Sequence, residues 1–262
     1  MRRKRIDWAQ FLSLPALILF SIFFVYPLLK GIGMSLTDWD GMGQAEFVGL
    51  KNFANFFSDD RAMQDIKTTL IFAIGSAALL NLVGLCYALL MNSDFRGKSI
   101  AGVIIYLPAI ISPLIMGYIW YFLLQPGRGY LAYAFAQLGL SGLIGNWMGK
   151  YSVTLLVLIL VNVWQFSSMT MIIYLAGLQS IPSEYVEAAT IDGAGRWQRF
   201  SRITLPLLMP AIRINVVTNI IGSLSVFDII MALTQGGPGY STESLSIYIM
   251  RMCYGSRTGY ST

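Results

Sequence analysis

Apolar residues run along this chain in long uninterrupted blocks parted by short polar stretches, and that rhythm predicts its elements. The blocks fall at about residues 11–32, 68–91, 100–124, 151–177 and 207–233. Each exceeds the roughly 18 residues that mark a membrane-crossing helix. A transmembrane β-barrel would show alternating segments of about ten residues instead. The expected fold class is therefore an all-α polytopic membrane protein, a single transmembrane domain over 1–262 with five spans. A loop at 37–67 carries TDWDG and FVGLKNFANFF, whose aromatics suit an interfacial amphipathic segment. A Gly-rich loop at 125–150 contains Trp147, and a polar tail occupies 234–262.

One polar stretch stands apart, 181–206, reading IPSEYVEAATIDGAGRWQRFSRITLP between spans four and five. Pro182 and Ser183 open a helix, with Glu184 and Glu187 in its first turns, where the helix dipole favours acids. Val186, Ala189 and Gly193 recur at i, i+3 and i+7 and make a small-residue face. Gly193 and Gly195 permit a turn. Arg196, Arg199 and Arg202 then form one stripe, and Trp197, Phe200 and Ile203 another. Pro206 and Pro210 stiffen the entry to span five. Two readings stay open on these residues. The stretch is an interfacial loop with its arginines on lipid phosphates, or a short projecting helix on which a partner protein pushes.

Composition narrows the chemistry. Charged residues are 12% of the chain, against about 25% in soluble domains, and mean hydropathy is +0.63. With no histidine, Ser-His-Asp and Cys-His catalysis and histidine metal sites are excluded. Cys86 and Cys253 are far apart, and neither a disulfide nor a metal site is expected from them. In a membrane protein the net charge of +5 need not mean nucleic acid; membrane lipid is the expected partner, and no nucleic acid is. With the N-terminus in the cytoplasm, the inner segments hold Arg2, Arg3, Lys4, Arg5, Arg96, Lys98, Arg196, Arg199, Arg202 and Arg213. Those are 10 of the 18 basic residues, against Asp7, Asp94, Glu184, Glu187 and Asp192, 5 of the 13 acids. The remaining bases and acids balance outside. That bias places 181–206 in the cytoplasm of a multi-pass cell-membrane protein.

Polar residues within spans are costly and become candidates for a solute pathway. They are Asn162 and Gln165 in span four, with Asn215, Asn219, Ser223 and Asp228 in span five. Trp164 and Phe227 are possible platforms for a sugar ring. The competing reading is that the amides hold helices together and that Asp228 is simply solvated. Gly236-Gly237-Pro238-Gly239 is a tight turn, either a plain loop or a partner contact. Residues 92–99, NSDFRGKS, lack the first glycine of a phosphate-binding loop and come after a helix rather than a strand, so no nucleotide is expected there. Gly142–Lys150 fails as well, because Tyr151 follows the lysine.

Glu187-Ala188-Ala189, Gly193, Ile203, Leu205 and Pro206 match EAA, three residues, G, nine residues, I-x-L-P. This resembles the signature of binding-protein-dependent ABC importer permeases. TDWDG, FVGLKNF, YLPAIISP and FDIIMALTQGGPG are similar to the carbohydrate-importer branch, so the resemblance spans nearly the whole chain. It implies the ABC importer permease fold and a role as half of a translocation pore. It implies three kinds of partner: a second homologous permease, a cytoplasmic ABC ATPase dimer, and an extracytoplasmic solute-binding protein. ATP and magnesium would sit on that ATPase, with no cofactor in this chain. Glu184, Glu187, Ala188, Ala189, Asp192 and Gly193 would form the ATPase-coupling segment. Glu187 would be its polar contact, Ala188 and Ala189 would pack in the ATPase groove, and Gly193 would make the turn. No catalytic residue is implied. The alternatives are a self-contained secondary transporter, or a permease for glycerol phosphate or another non-sugar solute. The chain stops where the family's sixth core span would begin, so a truncated chain lacking that span is expected, with a five-span variant as the alternative.

Overall fold

The computed structural model describes residues 13–39, 43–125, 128–138 and 147–254. Arg2, Arg3, Lys4 and Arg5 lie outside the described residues. The chain divides into two compact units, Met1–Met63 with Tyr248–Thr262, and Gln64–Ile247. Among the described residues every regular element is helical apart from one isolated bridge, Thr37 to Phe47.

In the first unit, α1 (Leu14–Met34) is 21 residues of apolar helix. Its middle, Ser21–Val25, widens into a π-turn, where the Tyr26 N–H bonds the Ser21 carbonyl. Pro27 explains the widening. A prolyl ring has no N–H to give and collides with the carbonyl four residues back in a regular α-helix, and a π-turn relaxes that crowding. After the bridge comes α2 (Lys51–Phe57). Asn52, from the FVGLKNF motif, donates to the carbonyls of Ser35 at 2.9 Å and Thr37 at 2.7 Å. The motif is thus a clamp on the exit from α1. Tyr248 is buried here, its hydroxyl on Asp59 at 2.7 Å and the Arg61 guanidinium 5.6 Å above its ring.

The 33-residue α3 (Asp60–Asn92) leads into the second unit. Next in the chain are α4 (Lys98–Ile110), α5 (Pro113–Leu124), α6 (Tyr130–Gln137), α7 (Tyr151–Gln179), α8 (Ser183–Ile191) and α9 (Arg196–Leu207). After them come α10 (Met209–Leu224), α11 (Asp228–Leu233) and α12 (Leu245–Tyr254). Within the best apolar window of each long helix, 56% of α7 is buried, against 39% of α3 and none of α1. α7 is therefore the post on which the second unit is built. Small residues set how closely its neighbours approach. A Cβ on Gly84 of α3 would stand 2.6 Å from the Thr170 side chain of α7. A Cβ on Gly177 would stand 2.8 Å from both Ala211 of α10 and Leu208.

Three helices are long and apolar enough to cross a membrane, α1, α3 and α7, or up to five spans if each bent pair is one. The remaining two expected spans are not straight. α4 and α5 meet at 98°. Pro113 holds Ser112 in an extended conformation (ψ 134°), as residues before proline prefer. α9 and α10 meet at 66° across Leu208. α9 repeats the α1 device, with a π-turn at Phe200–Thr204 just ahead of Pro206. The expected block 207–233 also divides, since α10 ends at Leu224 and α11 starts at Asp228. Buried Val226, Ile229 and Ile230 carry the apolar pattern across that break, and no Pro or Gly marks it. The tail after 234 is likewise more than a polar loop. It includes α12, whose Ile247 is fully buried.

Gly84→Val should cost about 1 to 3 kcal/mol by overpacking against Thr170 and lower the thermal unfolding midpoint of the detergent-purified protein by several degrees. Gly222→Ala, with nothing within 4 Å of its Cβ, should leave that midpoint unchanged or slightly raised.

Candidate functional site

Each helix break releases backbone carbonyls that an apolar surround cannot solvate, and here buried side chains take them up. Gln165 Nε2 of α7 donates to the Ile111 carbonyl at the α4–α5 bend, at 2.9 Å. Ser244 Oγ donates to the Val226 carbonyl at the α10–α11 break, at 2.8 Å. Trp147 Nε1 donates to the Leu124 carbonyl at the end of α5, at 2.8 Å, and Thr154 Oγ1 to the Trp147 carbonyl at 2.7 Å. Thr69 Oγ1 accepts the Leu245 N–H at the start of α12, at 2.9 Å. The GGPG turn is tied internally, with Thr242 Oγ1 donating to the Gly237 carbonyl at 2.6 Å.

With the breaks secured, α3, α7 and α10 enclose a cleft of about 230 Å³. Its walls are Leu80 of α3, Asn162, Phe166 and Met169 of α7, and Thr218, Asn219, Gly222 and Ser223 of α10. The α7 residues recur at i, i+4 and i+7, one face of that helix. Asn219 is held by a reciprocal pair with the Thr170 hydroxyl, at 3.1 and 3.3 Å. Each amide group keeps capacity for a further hydrogen bond. Gly222 has open space where a Cβ would be. Amide and hydroxyl groups beside a phenyl face suit a polyhydroxylated solute, hydrogen-bonding its hydroxyls and covering its C–H edges.

At the far end of α7, α8 begins after Pro182 and ends at Gly193, whose φ of +80° glycine adopts freely. The Arg199 guanidinium donates to Thr190 Oγ1 at 2.6 Å, tying α9 back to α8. Gln198 accepts the Gly195 N–H at 3.0 Å and starts α9. Ala189 is buried and Val186 half-buried, so these two members of the small-residue face turn into their own chain, while Gly193 stays exposed. The exposed face is Glu184, Glu187, Ala188 and Ile191, spaced i, i+3, i+4 and i+7. The side chains of Glu184, Glu187, Asp192, Arg196 and Arg202 make no ion pair among the described residues.

An exposed acidic helix is thus joined through α9 to the helices of a polar cleft, and comparison with known proteins gives this arrangement a family. Residues 80–254 match the family described as binding-protein-dependent transport system inner membrane component. The chain belongs to this family. It is 31% identical over 250 residues to a probable starch degradation products transport system permease of Thermoanaerobacterium thermosulfurigenes, covering 95% of this chain and 84% of that one. It is 35% identical over 248 residues to the sn-glycerol-3-phosphate transport system permease of Yersinia pestis, covering 94% and 83%. Its fold matches a chain in the crystal structure of a bacterial alginate ABC transporter in complex with an alginate pentasaccharide-bound periplasmic protein. The TM-score there is 0.84 at 26% identity, covering 97% of this chain and 86% of that one.

In this permease the structure brings together three of the polar residues singled out from sequence, Asn162, Asn219 and Ser223. Gln165 is not among the cleft residues. Its donor is committed to the Ile111 carbonyl, and its Oε1 is buried without a hydrogen-bond partner among the described residues. Asn215 donates to the Thr170 carbonyl at 3.2 Å and joins helices, as the competing reading had it. Asp228 is exposed in the first turn of α11, away from the cleft lining. Trp164 packs edge-on to Trp120 at 5.4 Å, and Phe227 packs on the apolar core. The aromatic on the cleft is Phe166, which sequence reasoning missed along with Met169, Thr218 and Gly222. Extending the polar stripe one turn along each helix would have found them. Ala189, grouped with the coupling residues, faces inward, leaving Ala188 as the outward alanine.

Gln165→Leu should strand the Ile111 carbonyl at a cost of about 1 to 3 kcal/mol, read as a lowered unfolding midpoint. Gln165→Met, which keeps the side-chain length but has no donor, should not restore it.

Proposed function

We propose that this chain is the permease subunit of an ATP-driven, binding-protein-dependent sugar importer in the cell membrane. One observation carries the reading: α8 is linked by a stiff elbow to the helices that wall the polar cleft. The elbow is α9, tied to α8 through Arg199, widened before Pro206 and bent at buried Leu208. Leu208 and Ala211 sit against Gly177 at the end of α7. A load on α8 therefore reaches α7 and α10, which hold seven of the eight cleft residues.

The exposed acidic face of α8 suits the groove of a cytoplasmic ABC ATPase dimer, with Glu187 as the polar contact and Ala188 beside it. ATP and magnesium then act on that partner. A volume of about 230 Å³ falls below the ~300 Å³ of small-molecule sites, so the cleft is one wall of a pathway that a second permease completes. An extracytoplasmic binding protein delivers the solute, as the alginate transporter's complex with its periplasmic protein illustrates. The basic inner loops orient the N-terminus to the cytoplasm. Starch products and alginate, the solutes named for two of the similar proteins, support a sugar. The glycerol-phosphate permease keeps a phosphorylated solute as the second reading.

In proteoliposomes, uptake should require this chain together with a second permease, the ATPase, the binding protein and ATP. Ion-driven uptake by the purified chain alone would overturn the proposal. Glu187→Lys should lower solute-stimulated ATP hydrolysis and transport by about tenfold or more, the loss expected when a charge pair becomes a like-charge clash. Membrane insertion, followed by protease accessibility, should not change.

A further inference from the structure

Resting on the reading of the cleft as a pathway wall, we infer that the solute crossing it is electrically neutral, a sugar without phosphate or carboxylate. None of the eight residues lining the cleft is charged. The segments that supply them are charge-free well beyond it. No Asp, Glu, Lys or Arg occurs in residues 68–93, which hold most of α3, in 151–183 around α7, or in 214–227 of α10 and its break. Arg213, the first cation on α10, is exposed and lies six residues before Asn219, about 9 Å along the helix axis. Asp228 lies five residues past Ser223 and would repel an anion.

A phosphate or uronate against this wall would shed water and meet no cation of this chain in return, and an uncompensated buried charge is strongly disfavoured. A neutral sugar meets what the wall offers. Asn162 and Asn219 present both donors and acceptors, Ser223 and Thr218 present hydroxyls, and Phe166 and Leu80 cover apolar edges. Thr170, outside the cleft, fixes the Asn219 amide through its two hydrogen bonds and acts as a positioning residue.

The test is equilibrium dialysis of the assembled transporter without its binding protein, at low salt. The radiolabelled probes are maltose, sucrose, sn-glycerol 3-phosphate and an alginate disaccharide at equal concentration. Retention of at least one neutral disaccharide should exceed that of both anions by about tenfold or more, as desolvating an ion against an uncharged wall requires. Asn219→Leu should abolish that retention. Anions retained as well as the neutral sugars, and lost in Asn219→Leu, would keep the cleft as the site and overturn neutrality. A neutral preference untouched by Asn219→Leu would overturn the cleft reading itself, and with it the argument for neutrality from its walls.

Discussion

Every break in a buried or membrane helix frees carbonyls that have no water to turn to, and the second unit is organised around meeting that demand. The α4–α5 bend leans on Gln165, the α10–α11 break on Ser244, the end of α5 on Trp147, and the start of α12 on Thr69. These donors and acceptors come from distant parts of the chain. Each bond therefore fixes a fold-level contact as well as a local one. Because α7 supplies Gln165 and Thr154 and anchors Asn215 and Asn219 through Thr170, it aligns the bend on one side and the cleft on the other. A burial pattern alone would let α7 rotate or slide, whereas these polar contacts set its register.

The helical class, the apolar blocks and the family were legible in the residues. Block length carries the first two, and a rigid spacing of Glu187, Gly193 and Pro206 carries the third. Breaks were harder to see. Pro113 and Pro206 signal two of them, but residues 225–227 interrupt an apolar run with no Pro or Gly, and hydropathy is blind to that. Polar residues in spans look alike in one dimension. Asn219 lines the cleft while Asn215, one turn earlier, holds α10 to α7. Gln165, one turn from Asn162, serves a backbone carbonyl. Which role each takes depends on what stands opposite, and that is a property of packing. Ala189 illustrates the same point, since small residues mark a close approach without saying whether the approach is to a partner or to the chain itself.

Two proline-linked π-turns, one in α1 and one in α9, show how the chain keeps helical continuity where a prolyl ring would otherwise break it. In α9 this keeps the segment between α8 and Leu208 stiff. Gly177 then lets the elbow press against the end of α7 with no intervening side chain. The proposed coupling is a short packed route by which force entering at α8 reaches the cleft wall.

It is tested most directly by the reactivity of a cysteine at Ser223 toward a water-soluble maleimide. The experiment uses the assembled transporter, with Cys86 and Cys253 replaced by serine. The labelling rate should change between the nucleotide-free state and the state held by a non-hydrolysable ATP analogue. That change should vanish when Leu208→Ala loosens the elbow, while a reference cysteine at exposed Ser93, just after α3, stays constant. A rate at Ser223 that ignores nucleotide, or a nucleotide response that survives Leu208→Ala undiminished, would contradict the account.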